Sequence, residues 1–273
     1  MSFSVLMSVY YKENPEYLKA SLESVFSQTL SPDEVVLIED GKLTPELYDV
    51  IHLFQTRFSQ LKIYRFEENV MLGRALQKGV ELCEHELIAR MDTDDIACDS
   101  RFEMQYEYMK NNPEIAVCGG MIQEFNERGV IPHIKPMPQT WEEIKKYAKM
   151  RNPVNHMTVM FRKSEVLKAG NYRHFPFLED YDLWVRMLEN GARFSNLSQV
   201  LVKARVLEGM YERRGGISYC RQYLKLRKIQ HKQGMITGLT YVKVLVVTIA
   251  ITVIPSGWRK RVYGKILRRN ANG

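Results

Sequence analysis

Cysteine is scarce in this chain. The four present, Cys83, Cys98, Cys118 and Cys220, lie far apart, and none forms a C-x-x-C pair. That excludes a zinc knuckle or a disulfide framework and fits small core residues in a reducing, cytoplasmic setting. Glycine is missing where the common nucleotide folds need it. The first glycine is Gly41, no G-x-G-x-x-G follows the first predicted strand, and G-x-x-x-x-G-K-[ST] occurs nowhere. Neither a dinucleotide-binding fold nor a P-loop is expected. Long apolar runs are also missing. The longest uncharged apolar stretch, Val244 to Trp258, contains Pro255 and Gly257 and falls short of the roughly 18–20 residues that span a bilayer. The start, Met1-Ser2-Phe3-Ser4-Val5, has no basic stretch followed by an apolar one, so no signal peptide is expected. Fixed-period repeats and low-complexity tracts are absent.

Acidic residues run out toward the carboxyl end. The formal net charge of +7 divides into a first part, residues 1–202, with 23 basic and 30 acidic side chains, and a second, residues 203–273, with 16 basic side chains against Glu208 and Glu212. The first part sums to −7 and the second to +14. A basic tail on an acidic body is not a uniformly basic nucleic-acid binder, and no nucleic-acid partner is expected. With 45% apolar residues, the chain carries enough apolar mass to form a packed core.

Within the body, short apolar runs alternate with helical periodicity. Phe3–Val9, Glu34–Ile38, Leu61–Phe66 and Leu87–Met91 read as strands. Helices open at Pro15 and Pro45 and cover residues 71–83 and 101–110. Strands alternating with helices predict a mainly parallel sheet covered on both faces. Its ligands bind beyond the carboxyl ends of the strands, where Asp40 and Asp92 fall. Farther on, Ile131–Pro138 with its three prolines reads as a loop and His156–Phe161 as a strand. Leu178–Asn190 reads as a helix closed by Gly191, and Val200–Val206 as the last strand.

Asp92-Thr93-Asp94-Asp95 sets three carboxylates within four residues at the end of an apolar strand. Packed so closely they repel one another and need a cation or hydrogen-bond donors. Two readings follow: a Mg²⁺ or Mn²⁺ site that holds a nucleotide diphosphate, or an acidic turn that caps the next helix.

The ordered set Ser8-Val9-Tyr10, Glu39-Asp40-Gly41, Asn69…Gly73-Arg74-Ala75-Leu76…Gly79 and Ala89-Arg90-Met91-Asp92-Thr93-Asp94-Asp95 resembles family 2 glycosyltransferases of GT-A fold. The resemblance continues through Asn152-Pro153…His156 and Phe177-Leu178-Glu179-Asp180-Tyr181-Asp182 to Tyr211-Glu212-Arg213-Arg214-Gly215-Gly216 and the basic tail. It is strongest to bacterial enzymes of exopolysaccharide, capsule and O-antigen assembly. It implies an α/β fold with a Rossmann-like mixed sheet, residues 1–206 forming the catalytic domain. Residues 207–273 would form a basic, partly apolar, helical segment that associates with a membrane.

The resemblance also implies roles. Ser8 and Tyr10 at the first strand end, with Asp40, would hold the uracil base of a UDP-sugar. Asp92 would contact ribose or metal, and Asp94 would coordinate the Mn²⁺ or Mg²⁺ that bridges the phosphates. Asp95 would support the turn or add a ligand. Arg74 would reach nucleotide or diphosphate, unless it is a solvated surface residue; Met71 and Gln77 depart from the family pattern beside it. Asp180 would be the base that takes the acceptor's proton, with Glu179 positioning the acceptor. The alternative there is an acidic first helical turn favoured by the helix dipole. His156 would touch metal or diphosphate, or be a satisfied structural histidine. Arg213 and Arg214 would close on the diphosphate, or merely begin the tail.

The tail joins Arg221, Lys225, Arg227, Lys228 and Lys232 to the apolar segment Val244–Ile254, then Trp258 and Arg259-Lys260-Arg261. Such a composition suits an anionic membrane surface, or a helix packed on the catalytic domain with its charges solvated. The function expected is transfer of a hexose or N-acetylhexosamine, with inversion, from a UDP-sugar donor to a lipid-linked saccharide acceptor at the cytoplasmic membrane face. A sugar nucleotidyltransferase is one rival, against which the glycine-free loop Tyr10–Asn14 speaks. A non-catalytic scaffold, bound to membrane or RNA, is the other.

Overall fold

The computed structural model describes residues 2–126, 129–206 and 216–253. Among these, nine strands form a single mixed sheet. β1 (Phe3–Val9) pairs in parallel with both β2 (Glu34–Glu39) and β4 (Leu87–Arg90), and β3 (Leu61–Arg65) extends the sheet beyond β2. The order runs β3-β2-β1-β4-β8-β6-β9-β5, with β7 paired to β6 off this path. β5 is Ile96–Ala97, β6 Ile115–Asn126, β7 Gly129–Lys135, β8 Met160–Arg162 and β9 Arg193–Arg205.

Alternation along β1 divides the core, because successive side chains point to opposite faces. Phe3, Val5, Met7 and Val9 pack with α1 (Pro15–Phe26), α2 (Pro45–Arg57) and α4 (Arg101–Asn111). Leu6, Val36 and Ile38 pack on the other face with α3 (Leu72–Leu82), α5 (Trp141–Ala148), α6 (Lys163–Lys168) and α7 (Glu179–Glu189). Local chemistry sets the helix starts. The Asn14 side chain accepts from the Glu16 amide ahead of Pro15, and Thr44 caps α2 ahead of Pro45, the pattern that satisfies free amides and pre-sets φ. The chain steps from β1 to β2 on one side and returns through α3 to β4 on the other. The carboxyl ends of β1 and β4 therefore flank a switch point, where open α/β sheets bind ligands.

Three expectations are corrected. Ile131–Pro138 is a loop only at its end: residues 129–135 form β7, which pairs with β6 alone and so tolerates Pro132 as an edge strand, while residues 136–138 stay irregular. His156 does not open a strand but a 3₁₀ turn, His156–Thr158, with β8 starting later. β9 begins at Arg193 rather than Val200, because the polar stretch from Ser195 pairs in parallel with β6.

Two helices follow in the basic segment, α8 (Ile217–Lys232) and α9 (Gly238–Val253). Leu226 of α8 is fully buried against Phe175, Leu178, Tyr181 and Val185. Arg227 is buried too, donating to the carbonyls of Lys149 and Met150 and to the Tyr181 hydroxyl. α8 is thus docked on α7, and Arg227 is spent on that contact.

Candidate active site

The ends of β1, β2 and β4 bring the first predicted residues together. The Asp40 amide donates to Val9 O and the Met91 amide to Leu6 O, which keeps the three ends level. Asp40 is buried and its carboxylate is already engaged. It accepts from the Val70 amide at 2.6 Å and from the Asn69 side chain at 3.0 Å. Burial raises its pKa, and the Val70 and Met71 amides oppose the rise. Asp40 thereby fixes the loop that leads into α3, with carboxylate lone pairs to spare. Ser8 is half-buried, and its carbonyl lies 3.4 Å from the Thr93 hydroxyl. Tyr10 is exposed beyond the strand, edge-on to Tyr11.

Asp92, Asp94 and Asp95 converge, each offering a carboxylate oxygen within 4.8 Å of the others. Their environments differ. Asp92 is half-exposed and ion-pairs with Arg90. The Asp94 carboxyl is pushed up to about 7, by burial first and then by the charges of Asp92 and Glu13. Asp95 is buried and pushed well above the usual carboxylate range, again by burial first, although it accepts the Arg205 amide at 2.7 Å. Arg205 also donates its Nε to the Asp94 carbonyl and stacks on Tyr17 and Phe125. An all-oxygen anionic donor set held short of full ionisation suits a hard divalent cation, Mn²⁺ or Mg²⁺. Asp95 is tied to β9 through the Arg205 amide, so Asp92, paired with Arg90, and Asp94 are the two that could serve as ligands.

The second acidic group stands at the start of α7. Asp180 Oδ1 accepts the Tyr181 amide at 2.7 Å and Oδ2 accepts the Asn152 side chain at 2.5 Å. Burial raises the Asp180 pKa against those two bonds. Glu179 is pushed up to about 7 by burial and then by Asp180. Asp182, by contrast, is buried in an ion pair with Arg186 at 2.9 Å and serves the helix itself.

Arg90 links the two groups. It is almost wholly buried, and its field reaches Asp92, Asp180 and Glu179. Its Nε and one terminal nitrogen have no hydrogen-bond partner in the protein. α3 closes in from the side: a Cβ on Gly73 would meet the Arg173 carbonyl at 2.3 Å and Glu179 Cβ at 3.3 Å, so only glycine fits. His156 is not placed on the acids. Its Nε2 lies 2.9 Å from the Tyr172 hydroxyl, and burial, then Arg90, holds its pKa well below the usual value. Both favour the neutral imidazole. Arg74 is exposed on the first turn of α3. Arg213 and Arg214 lie outside the described residues.

Sequence reading missed Arg90 and Asn152 as members of this group. The signal for Arg90 was present: a lone cation inside Leu87-Ile-Ala-Arg-Met91 needs an acid wherever that strand is buried. Two open concavities, of about 410 Å³ beside Glu39, Tyr48 and Arg65 and about 270 Å³ beside Glu114, Arg162 and Arg193, lie away from the acids.

The profile of "Glycosyl transferase family 2" matches residues 4–168. The amylovoran biosynthesis glycosyltransferase AmsE of Erwinia amylovora is 41% identical over 245 residues, 88% of this chain and 90% of that protein. The UDP-Gal:alpha-D-GlcNAc-diphosphoundecaprenol beta-1,3-galactosyltransferase of Escherichia coli is 35% identical, over 98% of this chain and 97% of that protein. Among solved structures, S. aureus TarS 1-349 in complex with UDP-GlcNAc superposes with a TM-score of 0.67 at 18% identity, covering 99% of this chain and 72% of that one. The mannosyltransferase PcManGT of Pyrobaculum calidifontis, with GDP-Man and Mn2+, gives 0.65 at 12% identity, covering 99% and 75%. These two likenesses show a shared fold of GT-A type. The chain belongs to glycosyl transferase family 2.

Proposed function

We propose that this glycosyltransferase moves a hexose or N-acetylhexosamine, with inversion, from a UDP-sugar to a lipid-linked saccharide in cell-surface polysaccharide synthesis. The observation that carries this reading is the pair of acidic groups facing each other across Arg90, with one acid in each tied to the fold and the others left to react. Support for donor and acceptor comes from the Escherichia coli relative, whose name specifies a UDP-sugar and a diphosphoundecaprenol-linked saccharide.

In this reading Ser8, Tyr10 and Asp40 receive the uracil, and Arg74 with Arg213 and Arg214 neutralises the diphosphate. Asp92 and Asp94 hold the divalent cation, which when bound offsets the charge on the leaving diphosphate. Glu179 orients the acceptor. Asp180 removes the proton from the acceptor hydroxyl as its oxygen attacks the anomeric carbon. The new C–O bond forms as the bond to the β-phosphate oxygen breaks, and UDP departs on the opposite face. Burial raises the Asp180 pKa, which makes its carboxylate a better proton acceptor than an exposed one.

The workplace is the cytoplasmic face of a membrane. Among the described residues no helix is long and apolar enough to cross one. α9, however, leaves Leu239, Val242, Val246 and Ile249 exposed at spacings of three to four, a stripe suited to lie in an interface beside clustered cations. Two assays test the function. The product of UDP-sugar turnover should carry the opposite anomeric configuration by NMR; retention overturns the direct displacement. Protein lacking residues 239–273 should lose its binding to anionic vesicles; unchanged flotation removes the membrane from the account.

A further inference from the structure

Among the described residues, three non-glycine positions have positive φ: Met71 at 72°, Asn171 at 55° and Phe177 at 70°. Asparagine visits this region readily, and Asn171 is held by bonds to the Gln77 carbonyl and the Tyr172 amide. Methionine and phenylalanine there are genuine outliers. Both are also exposed, 50% for Met71 and 51% for Phe177. They precede α3 and α7, the two helices whose starts abut where Gly73 meets Arg173 and Glu179. Two large apolar side chains, each on a strained backbone and open to solvent, thus stand at the starts of the two helices that meet at Glu179. Neither side chain packs into the core: Asp40 holds the Met71 amide, and the Phe177 ring rests against α8. Backbone strain that persists at such a place points to a functional constraint.

Phe177 is held as well as exposed. Its ring lies 5.6 Å from Tyr219 on α8, and Tyr219 lies 5.0 Å from Tyr223. α8 is in turn locked to α7 by Leu226 and Arg227. An aromatic ring fixed beside a general base, with its surface open, presents the apolar partner that a pyranose face needs.

We infer that Phe177, with Met71 on the opposite lip, forms a stacking subsite for the acceptor's terminal sugar and so sets which hydroxyl reaches Asp180. This rests on the function proposed above. Strain follows as the means of holding the ring out of the core, and α8 becomes a wall of the acceptor site rather than a passive start to the tail.

The test uses full-length Phe177→Gly, which removes the ring and relieves the positive φ together. The probe acceptor is N-acetylglucosamine α-diphosphate on a short polyprenyl chain, with a UDP-hexose as donor. Acceptor KM should rise at least tenfold, donor affinity by calorimetry should stay within twofold, and Tm should not fall. Phe177→Trp should restore most of the acceptor KM, and Met71→Gly should give a smaller rise of about threefold. An acceptor KM within twofold of wild type in Phe177→Gly overturns the subsite. So does a parallel loss of donor affinity and Tm, which would mark the ring as structural. No transfer at all by the wild-type protein would overturn the proposed function itself, and the subsite with it.

Discussion

Two stretches of this chain each hold three acids within four residues, and they are built for different work. Asp92, Asp94 and Asp95 sit past a strand end, where burial and mutual repulsion drive two of them upward. Glu179, Asp180 and Asp182 sit on the first turn of a helix, where the Tyr181 amide and Asn152 hold Asp180 in place. In each stretch one member is committed to the fold: Asp95 to the Arg205 amide, and Asp182 to Arg186. Under the proposed function, what remains is a pair for the cation in the first and a base with its neighbour in the second. Each stretch packs three acids into four residues, as Asp92-Thr93-Asp94-Asp95 and as Glu179-Asp180-Tyr181-Asp182. Partners supplied by other elements decide what each acid does.

Replacing an acid of each kind breaks the comparison where it should be weakest. Asp180→Asn removes the base while keeping the Asn152 contact available. Transfer should fall about 10³-fold, within the range for lost general-base catalysis, with Tm unchanged or higher because a buried charge is gone. A residual rate above a tenth of wild type assigns the proton to another group. Asp182→Asn should do the reverse. Breaking a buried ion pair costs about 3 kcal/mol, to be read by denaturant titration, while the rate per folded molecule stays within a few-fold. A large loss of rate at full folding would move Asp182 into the chemistry.

The strand-end cluster carries a signature in pH. Asp94 titrates from an ordinary 3.8 in the unfolded chain to about 7 in the folded protein. Over that interval the folded state binds more protons than the unfolded one, so stability falls as pH rises. Cation-free protein should therefore lose Tm between about pH 4 and pH 7, and Mn²⁺ should flatten the slope. Asp94→Asn should flatten it without Mn²⁺. A Tm profile indifferent to both changes refutes the clustered-charge account.

Much of the fold was legible because burial on both faces imposes a visible pattern. β1, β2 and β4 are apolar runs, and Leu18, Leu22 and Val25 or Leu47, Ile51 and Phe54 repeat at helical spacing. Legibility failed where tertiary pairing outranked local chemistry. β7 is a strand despite Pro132 because β6 offers it an edge, and the first half of β9 is a strand despite Ser195, Asn196 and Ser198 because it lies along β6. The site shows the same limit. Asp92 and Asp94 stand out from their place at a strand end and Asp180 from the family resemblance, but the sequence could not show Asn152 reaching Asp180 or Arg90 lying between the clusters. The tail was half legible. Its charge marks a change of surface, yet Arg227, one of the cations counted toward a membrane, is buried among backbone carbonyls.

The division of labour between the clusters is tested most directly by calorimetry of a UDP-sugar with and without Mn²⁺, on Asp94→Ala and Asp180→Ala side by side. Asp180→Ala should bind the donor with the same Mn²⁺ dependence as wild type. Asp94→Ala should lose that dependence, with donor affinity down tenfold or more. Equal losses in both variants, or Mn²⁺-dependent binding that survives in Asp94→Ala, would contradict the assignment of donor and base to separate clusters.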